Sequence, residues 1–136
     1  MEKLPLNGPF RTEKQFNRAF NETYRKHGWI VYKVEDIGYG QKWLDNLMVS
    51  PELATRYDVE LKAIGADTVS LNSRDGAPAG DFETSQLLLM DELVLRHHHP
   101  QVAVWSKKRG DYVIVPWRDL RRMAAETGSN RIKLFF

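Results

Sequence analysis

Tyr57-Asp58-Val59-Glu60-Leu61-Lys62-Ala63 alternates charged and apolar side chains along its length. Successive side chains of a strand point to opposite faces, so Asp58, Glu60 and Lys62 share one face and Tyr57, Val59, Leu61 and Ala63 the other. Taken alone, the pattern reads as a half-buried strand with a solvated charged face. A second segment changes its weight. Upstream, Trp43-Leu44-Asp45-Asn46-Leu47-Met48-Val49 carries an acid inside an otherwise apolar strand. A buried carboxylate is costly unless it is paired or binds a metal. With the two strands as neighbours, Asp45 and Glu60 can converge on one hard cation, and oxygen ligands favour Mg²⁺ or Mn²⁺. Lys62 follows on the same face, within reach of a bound phosphate or an attacking water. Two carboxylates and a lysine around a divalent ion suit phosphodiester hydrolysis, because the metal lowers the pKa of bound water and offsets charge on the phosphate.

The flanking pattern is mixed. Thr12 reads as the N-cap of a helix running to about His27, with Gly28 as its stop. Phe16, Phe20, Tyr24 and His27 form its apolar stripe. Strands are expected at Trp29 to Val34, Lys42 to Val49 and Tyr57 to Ala63, with Gly38-Tyr39-Gly40 and Pro51 as breaks. Residues 64–81, rich in Gly and small polar side chains, read as a long loop of the kind that is usually functional or mobile. A second helix is expected from Phe82 to His97, with Leu89, Leu93 and Leu95 among its apolar positions and Pro100 closing it. Val102 to Ser106 and Tyr112 to Pro116 flank a basic turn, Lys107-Lys108-Arg109-Gly110-Asp111, as a hairpin. A third helix covers about Trp117 to Glu126, and Lys133-Leu134-Phe135-Phe136 ends the chain as an edge strand or a contact with a partner. The order αβββαββα predicts an α/β domain spanning residues 1–136, a mixed sheet flanked by helices.

Composition narrows the classes. The chain has 136 residues, 20 basic and 18 acidic side chains and no cysteine. That excludes a disulfide framework, a thiolate metal site and a cysteine nucleophile. A net charge of +2 does not by itself announce a nucleic-acid partner, so the distribution of charge must. No apolar run approaches the roughly 20 residues of a membrane span, and the start lacks the apolar core of a signal peptide. A cytoplasmic protein with no membrane contact is expected. No Gly-rich phosphate loop, zinc spacing or Ser-His-Asp motif is present.

Asp45 followed by Glu60-Leu61-Lys62, with a helix before the strands and another after them, resembles the PD-(D/E)xK nucleases. Within that group the chain is most similar to Holliday junction resolvases of the recombination protein U (RecU) kind, including small phage versions, over about residues 13–117. Glu13 opens a helix, Glu-Lys-Gln-Phe-Asn-Arg-Ala-Phe-Asn-Glu-Thr-Tyr, that resembles the family's first helix. Lys33 resembles its strand lysine. Phe82 and Gln86 resemble the Phe…Gln pair after the Glu-x-Lys strand, and 101–105 and 112–116 its last strands. The resemblance implies a restriction-endonuclease-like fold and a bacterial or phage-encoded Mg²⁺- or Mn²⁺-dependent endonuclease cutting branched DNA as a homodimer. It implies Asp45, Glu60 and the Leu61 carbonyl as metal ligands, Lys62 as the residue that orients water and stabilises charge, and Gln86 as one that positions a ligand or the phosphate. The alternative is a non-catalytic DNA-binding or assembly protein that keeps the fold.

The chain also departs from that pattern. Leu44 stands where a proline would precede the acid, and Ser85 where a histidine would precede Gln86. The segment between Asp45 and Glu60 is too short for the protruding stalk of the bacterial resolvases. Of the two helix acids, Glu13 falls within about 20° of Phe20 and Tyr24 at 100° per residue, and Glu22 on the opposite side. Glu13 therefore faces the core side, as a fourth site acid or as a first-turn acid favoured by the helix dipole. Candidate phosphate contacts are Lys33, Arg74 and the hairpin's Lys107, Lys108 and Arg109. Further bases lie on the first helix (Arg11, Lys14, Arg18, Arg25, Lys26) and the last (Arg118, Arg121, Arg122). His97-His98-His99 cannot easily chelate one ion, because consecutive helical side chains diverge.

Overall fold

The computed structural model describes residues 1–34, 43–53, 55–73 and 80–136. The Gly38-Tyr39-Gly40 break, Lys42 and Arg74 lie outside the described residues. The chain runs α1 (Glu13–Lys26), β1 (Ile30–Lys33), β2 (Asn46–Val49), β3 (Arg56–Ile64), β4 (Thr68–Ser70), α2 (Thr84–Leu95), β5 (Pro100–Ser106), β6 (Asp111–Pro116), α3 (Trp117–Thr127) and β7 (Arg131–Lys133). Five strands form one sheet in the order β1-β2-β3-β5-β6, and β4 pairs with β7 in a separate ribbon.

The first three strands form an antiparallel meander. The chain then crosses over through α2, so that β5 lies parallel to β3, and β6 returns antiparallel to β5. Parallel neighbours need a long crossover, which the 65–99 segment supplies. The mixed sheet flanked by helices agrees with the expected α/β fold, but the strand order is longer than αβββαββα by β4 and β7. Residues 64–81 are thus not loop throughout. The tail's strand sits at Arg131–Lys133, just before the expected position.

Local chemistry sets the ends of α1. The Thr12 hydroxyl accepts the Gln15 N–H at 3.1 Å, and Glu13 stands in the positive first turn. Gly28 adopts φ +89°, a left-handed stop that few other residues tolerate. Phe16, Phe20 and Tyr24 are fully buried on the face that meets the sheet, whereas His27 is exposed.

Cross-strand register assigns the two faces of the sheet. Val59, Leu61, Ala103, Trp105, Tyr112 and Met48 line one face and pack with Phe16, Phe20 and Tyr24 of α1. Val102, Val104 and Val115 line the other and pack with Leu87, Met90 and Leu93 of α2 and Trp117 and Leu120 of α3. Asp58, Glu60 and Lys62 share a register row with this second group. Helices cover both faces of β3, so Asp58 to Lys62 are all buried and the charged face is not solvated. In α2, Leu95 is 73% exposed, against expectation, while Gln86 is buried. The three histidines follow the end of α2 and are exposed. Among the described residues, no helix is long and apolar enough to cross a membrane.

Phe20→Ala should cost about 3–5 kcal/mol, the usual loss for a buried aromatic, because a ring with no exposure leaves a cavity between α1 and the sheet. Leu95→Ala should change stability by no more than about 0.5 kcal/mol. Urea unfolding of both variants checks the facing of α1 and α2 together.

Candidate active site

The site forms where β3 outruns β2. Pairing between them ends at Asn46 opposite Val59, while β3 continues to Ile64 beside β5. Beyond Val59, no strand among the described residues neighbours the N–H groups of Leu61 and Ala63 on that side. A buried backbone N–H needs an acceptor. Two carboxylates supply it: Asp45 Oδ2 accepts from Leu61 at 2.9 Å, and Glu13 Oε1 accepts from Ala63 at 3.0 Å. Asp45 is therefore not inside β2, as expected from the sequence, but on the bend that precedes it. Its side chain takes over where the ladder stops. The Leu61 carbonyl faces the same gap, because N–H and C=O of one strand residue point to the same side.

Glu60 occupies the other side of this edge and is 1% exposed. Its Oε2 accepts from Gln86 Nε2 at 2.6 Å, and Gln86 Oε1 in turn accepts the Glu83 N–H at 3.1 Å. Gln86 thus spends both ends of its amide within the protein and positions Glu60. Burial first, then the hydrogen bond and charge of Asp45, push the Glu60 carboxyl up to about 10, with Lys62 pulling the other way and Glu13 adding to the rise. With its carboxyl raised in this way, Glu60 holds a proton at neutral pH.

Lys62 is 4% exposed, and its Nζ lies 5.3 Å from the centre of the Phe82 ring. Asp58 is fully buried, accepting Trp43 Nε1–H at 3.1 Å, with Arg56 at 3.6 Å. Its Oδ2 has no hydrogen-bond partner among the described residues. On the α1 side, Asn46 Nδ2 donates to Asn21 Oδ1 at 2.7 Å, while Asn17 Oδ1 and Asn46 Oδ1 have no partner among the described residues. Asp58, Asn21 and Asn46 were missed as features of the site. Glu13, Asn17 and Asn21 stand four apart and so share one helix stripe, a signal that could have found the last two.

Of the expected DNA contacts, Lys33 and the hairpin bases fall around the same end of the sheet. Lys33 pairs with Asn46 at the end of β1 and is exposed. Lys107 and Lys108 are exposed on the β5–β6 turn, whose backbone is tied to the end of β3 by Lys107 N–H to Ile64 and Lys108 N–H to Gly65, both at 3.0 Å. Arg109 is instead engaged with Asp67 at 2.8 Å.

The donors here are the carboxyls of Asp45 and Glu60 and the Leu61 oxygen, an all-oxygen set that fits a hard divalent cation completed by water or phosphate. Asp45 Oδ1 and Glu60 Oε1 are the carboxyl oxygens not engaged by these N–H donors. Among the described residues, no three His, Cys, Asp or Glu side chains are grouped to hold a metal on their own.

No family model matches the chain, and no curated protein does. The fold is similar to that of Archaeoglobus fulgidus Hjc, a Holliday junction resolvase from an archaeal hyperthermophile. The TM-score is 0.60 at 19% identity, over 88% of this chain and 87% of that one. The likeness agrees with the expected restriction-endonuclease-like architecture.

Glu60 gives the metal-free protein a distinctive pH response. Its folded pKa lies above the unfolded value of 4.5, so between 4.5 and about 10 the unfolded chain releases a proton that the folded chain keeps. Stability therefore falls as pH rises through that window. Urea midpoints in EDTA should drop for the wild type between about pH 5 and pH 9, and Glu60→Gln should lessen the drop.

Proposed function

We propose that the chain is a Mg²⁺- or Mn²⁺-dependent endodeoxyribonuclease of the PD-(D/E)xK kind that hydrolyses phosphodiesters in branched DNA. The observation that carries this reading is the hydrogen bond that sets Asp45 against the Leu61 N–H at the edge of β3, next to the buried Glu60, with Lys62 two residues along the same buried face. The fold it shares with an archaeal Holliday junction resolvase supports it.

Asp45, Glu60 and the Leu61 carbonyl would hold the cation. When bound, it supplies a Lewis acid that polarises the phosphate and lowers the pKa of water. Glu60 must lose its proton to bind, and Gln86 keeps its carboxylate oriented as it does so. Lys62 brings a positive charge from a site nearly closed to water, where it acts strongly on charge developing at phosphorus. Glu13 holds Ala63 and so keeps the protruding end of β3 in place. Lys33, Lys107 and Lys108 would contact flanking phosphates and position the duplex without reading its sequence.

Val49 ends β2 and Arg56 begins β3, so only residues 50–55 join them. That span is too short for a protruding stalk, and junction recognition has to come from the basic rim. Two symmetric cuts require two copies of the site, so a homodimer is proposed. Ile30 and Tyr32, 53% and 63% exposed on the edge strand β1, offer an apolar surface for the second copy.

With Mg²⁺, the wild type should cut a labelled four-way junction in preference to linear duplex and single strand. Glu60→Ala and Lys62→Ala should each slow it at least about a hundredfold, since each removes several kcal/mol of charge stabilisation. Unchanged cleavage in both variants contradicts the site. Tight binding of the wild type without cleavage of any substrate supports the non-catalytic DNA-binding alternative.

A further inference from the structure

Lys62 is a lysine buried in an unusual way. Its side chain is 4% exposed, yet among the described residues no carboxylate lies within ion-pair distance of its ammonium. A buried ammonium needs compensation. What stands against it is the Phe82 ring, with no exposure of its own and its centre 5.3 Å from Nζ. That lies within the roughly 6 Å over which the negative face of an aromatic ring attracts a cation, and the attraction is strongest when both partners are desolvated.

The Phe82 ring is itself held. It meets Trp117 edge-on at 5.5 Å. Trp117 donates its indole N–H to Asp91 Oδ1 at 2.7 Å, and Arg121 lies over the Trp117 ring at 4.9 Å while pairing with Asp91. A packed chain thus runs from the α2–α3 contact to the ammonium of Lys62. Phe82 also stands immediately before the turn that carries Gln86. One short segment, Phe82 to Gln86, therefore touches both ionisable side chains: Gln86 by hydrogen bond to Glu60, and Phe82 by its ring to Lys62.

We propose that Phe82 is a positioning residue for Lys62: its ring, in place of a carboxylate, holds the ammonium at the site. The difference matters chemically. A carboxylate would neutralise the lysine and compete with phosphate for it. A ring face attracts the ammonium without supplying a counter-charge, so the full positive charge stays available to an incoming phosphate oxygen. This inference rests on the nuclease reading of the site and extends it to a residue that touches neither substrate nor metal.

The test grades the electrostatics of the ring at nearly constant shape. Phe82 is replaced by phenylalanines carrying one, two and three ring fluorines, which progressively weaken the negative face, and by Tyr and Leu. Cleavage of a four-way junction is measured at saturating Mg²⁺. The expected result is a stepwise fall in kcat along the fluorine series, with KM and melting temperature nearly unchanged. Phe82→Tyr should retain activity and Phe82→Leu should lose about tenfold. On a Lys62→Ala background, the series should be flat. A flat series in the wild-type background, or an equal slope without Lys62, overturns the proposal. Absence of cleavage by the wild type overturns the nuclease reading instead. The contact is then decided by nuclear magnetic resonance: upfield ring-current shifts of the Lys62 ε-methylene protons that vanish in Phe82→Leu support it, and their absence in the wild type contradicts it.

Discussion

The hydrogen bond from the Leu61 N–H to Asp45 Oδ2 is where fold and site become the same problem. β3 is needed at full length by β5, its parallel partner, but β2 ends opposite Val59. The unpaired stretch of backbone sits between helices on both faces, so it cannot simply turn to water. An unsatisfied N–H there would cost about 1–3 kcal/mol. Asp45 and Glu13, from a bend and a helix far apart in sequence, each close one of these gaps. Satisfying the strand edge thereby draws acids toward Glu60.

The crowding has an electrostatic consequence. Glu60 is enclosed beside Asp45, and its carboxyl is easier to keep neutral than charged. Gln86 and Phe82 complete the enclosure from the start of α2, one through an amide and the other through a ring. The crossover helix that makes β5 parallel to β3 is therefore also the wall that buries the charged face.

Much of this was legible in the sequence because it is local. The period-two pattern placed β3 to within one residue at each end, and Thr12 and Gly28 marked the limits of α1. Helical geometry put Glu13 on the core side, where it reaches Ala63. What failed depended on distant partners. β4 and β7 are three residues each and exist only because Val69 meets Ile132 across the molecule. Asp45 read as a strand residue because nothing in its neighbourhood says that β2 starts one position later. Leu87-Leu88-Leu89-Met90 makes α2 apolar nearly all round, so periodicity could not say which leucines face in. The burial of Glu60 and Lys62 was equally hidden, since alternation assigns a shared face but not what covers it.

The central claim is that Glu60 gives up its proton for a divalent cation held together with Asp45. Titration calorimetry with Mn²⁺ at neutral pH, repeated in buffers of different ionisation enthalpy, tests it most directly by counting protons released on binding. The account predicts that binding releases about one proton per ion, and that Glu60→Gln and Asp45→Asn both abolish tight binding. Binding without proton release, or with undiminished affinity in either variant, would contradict it.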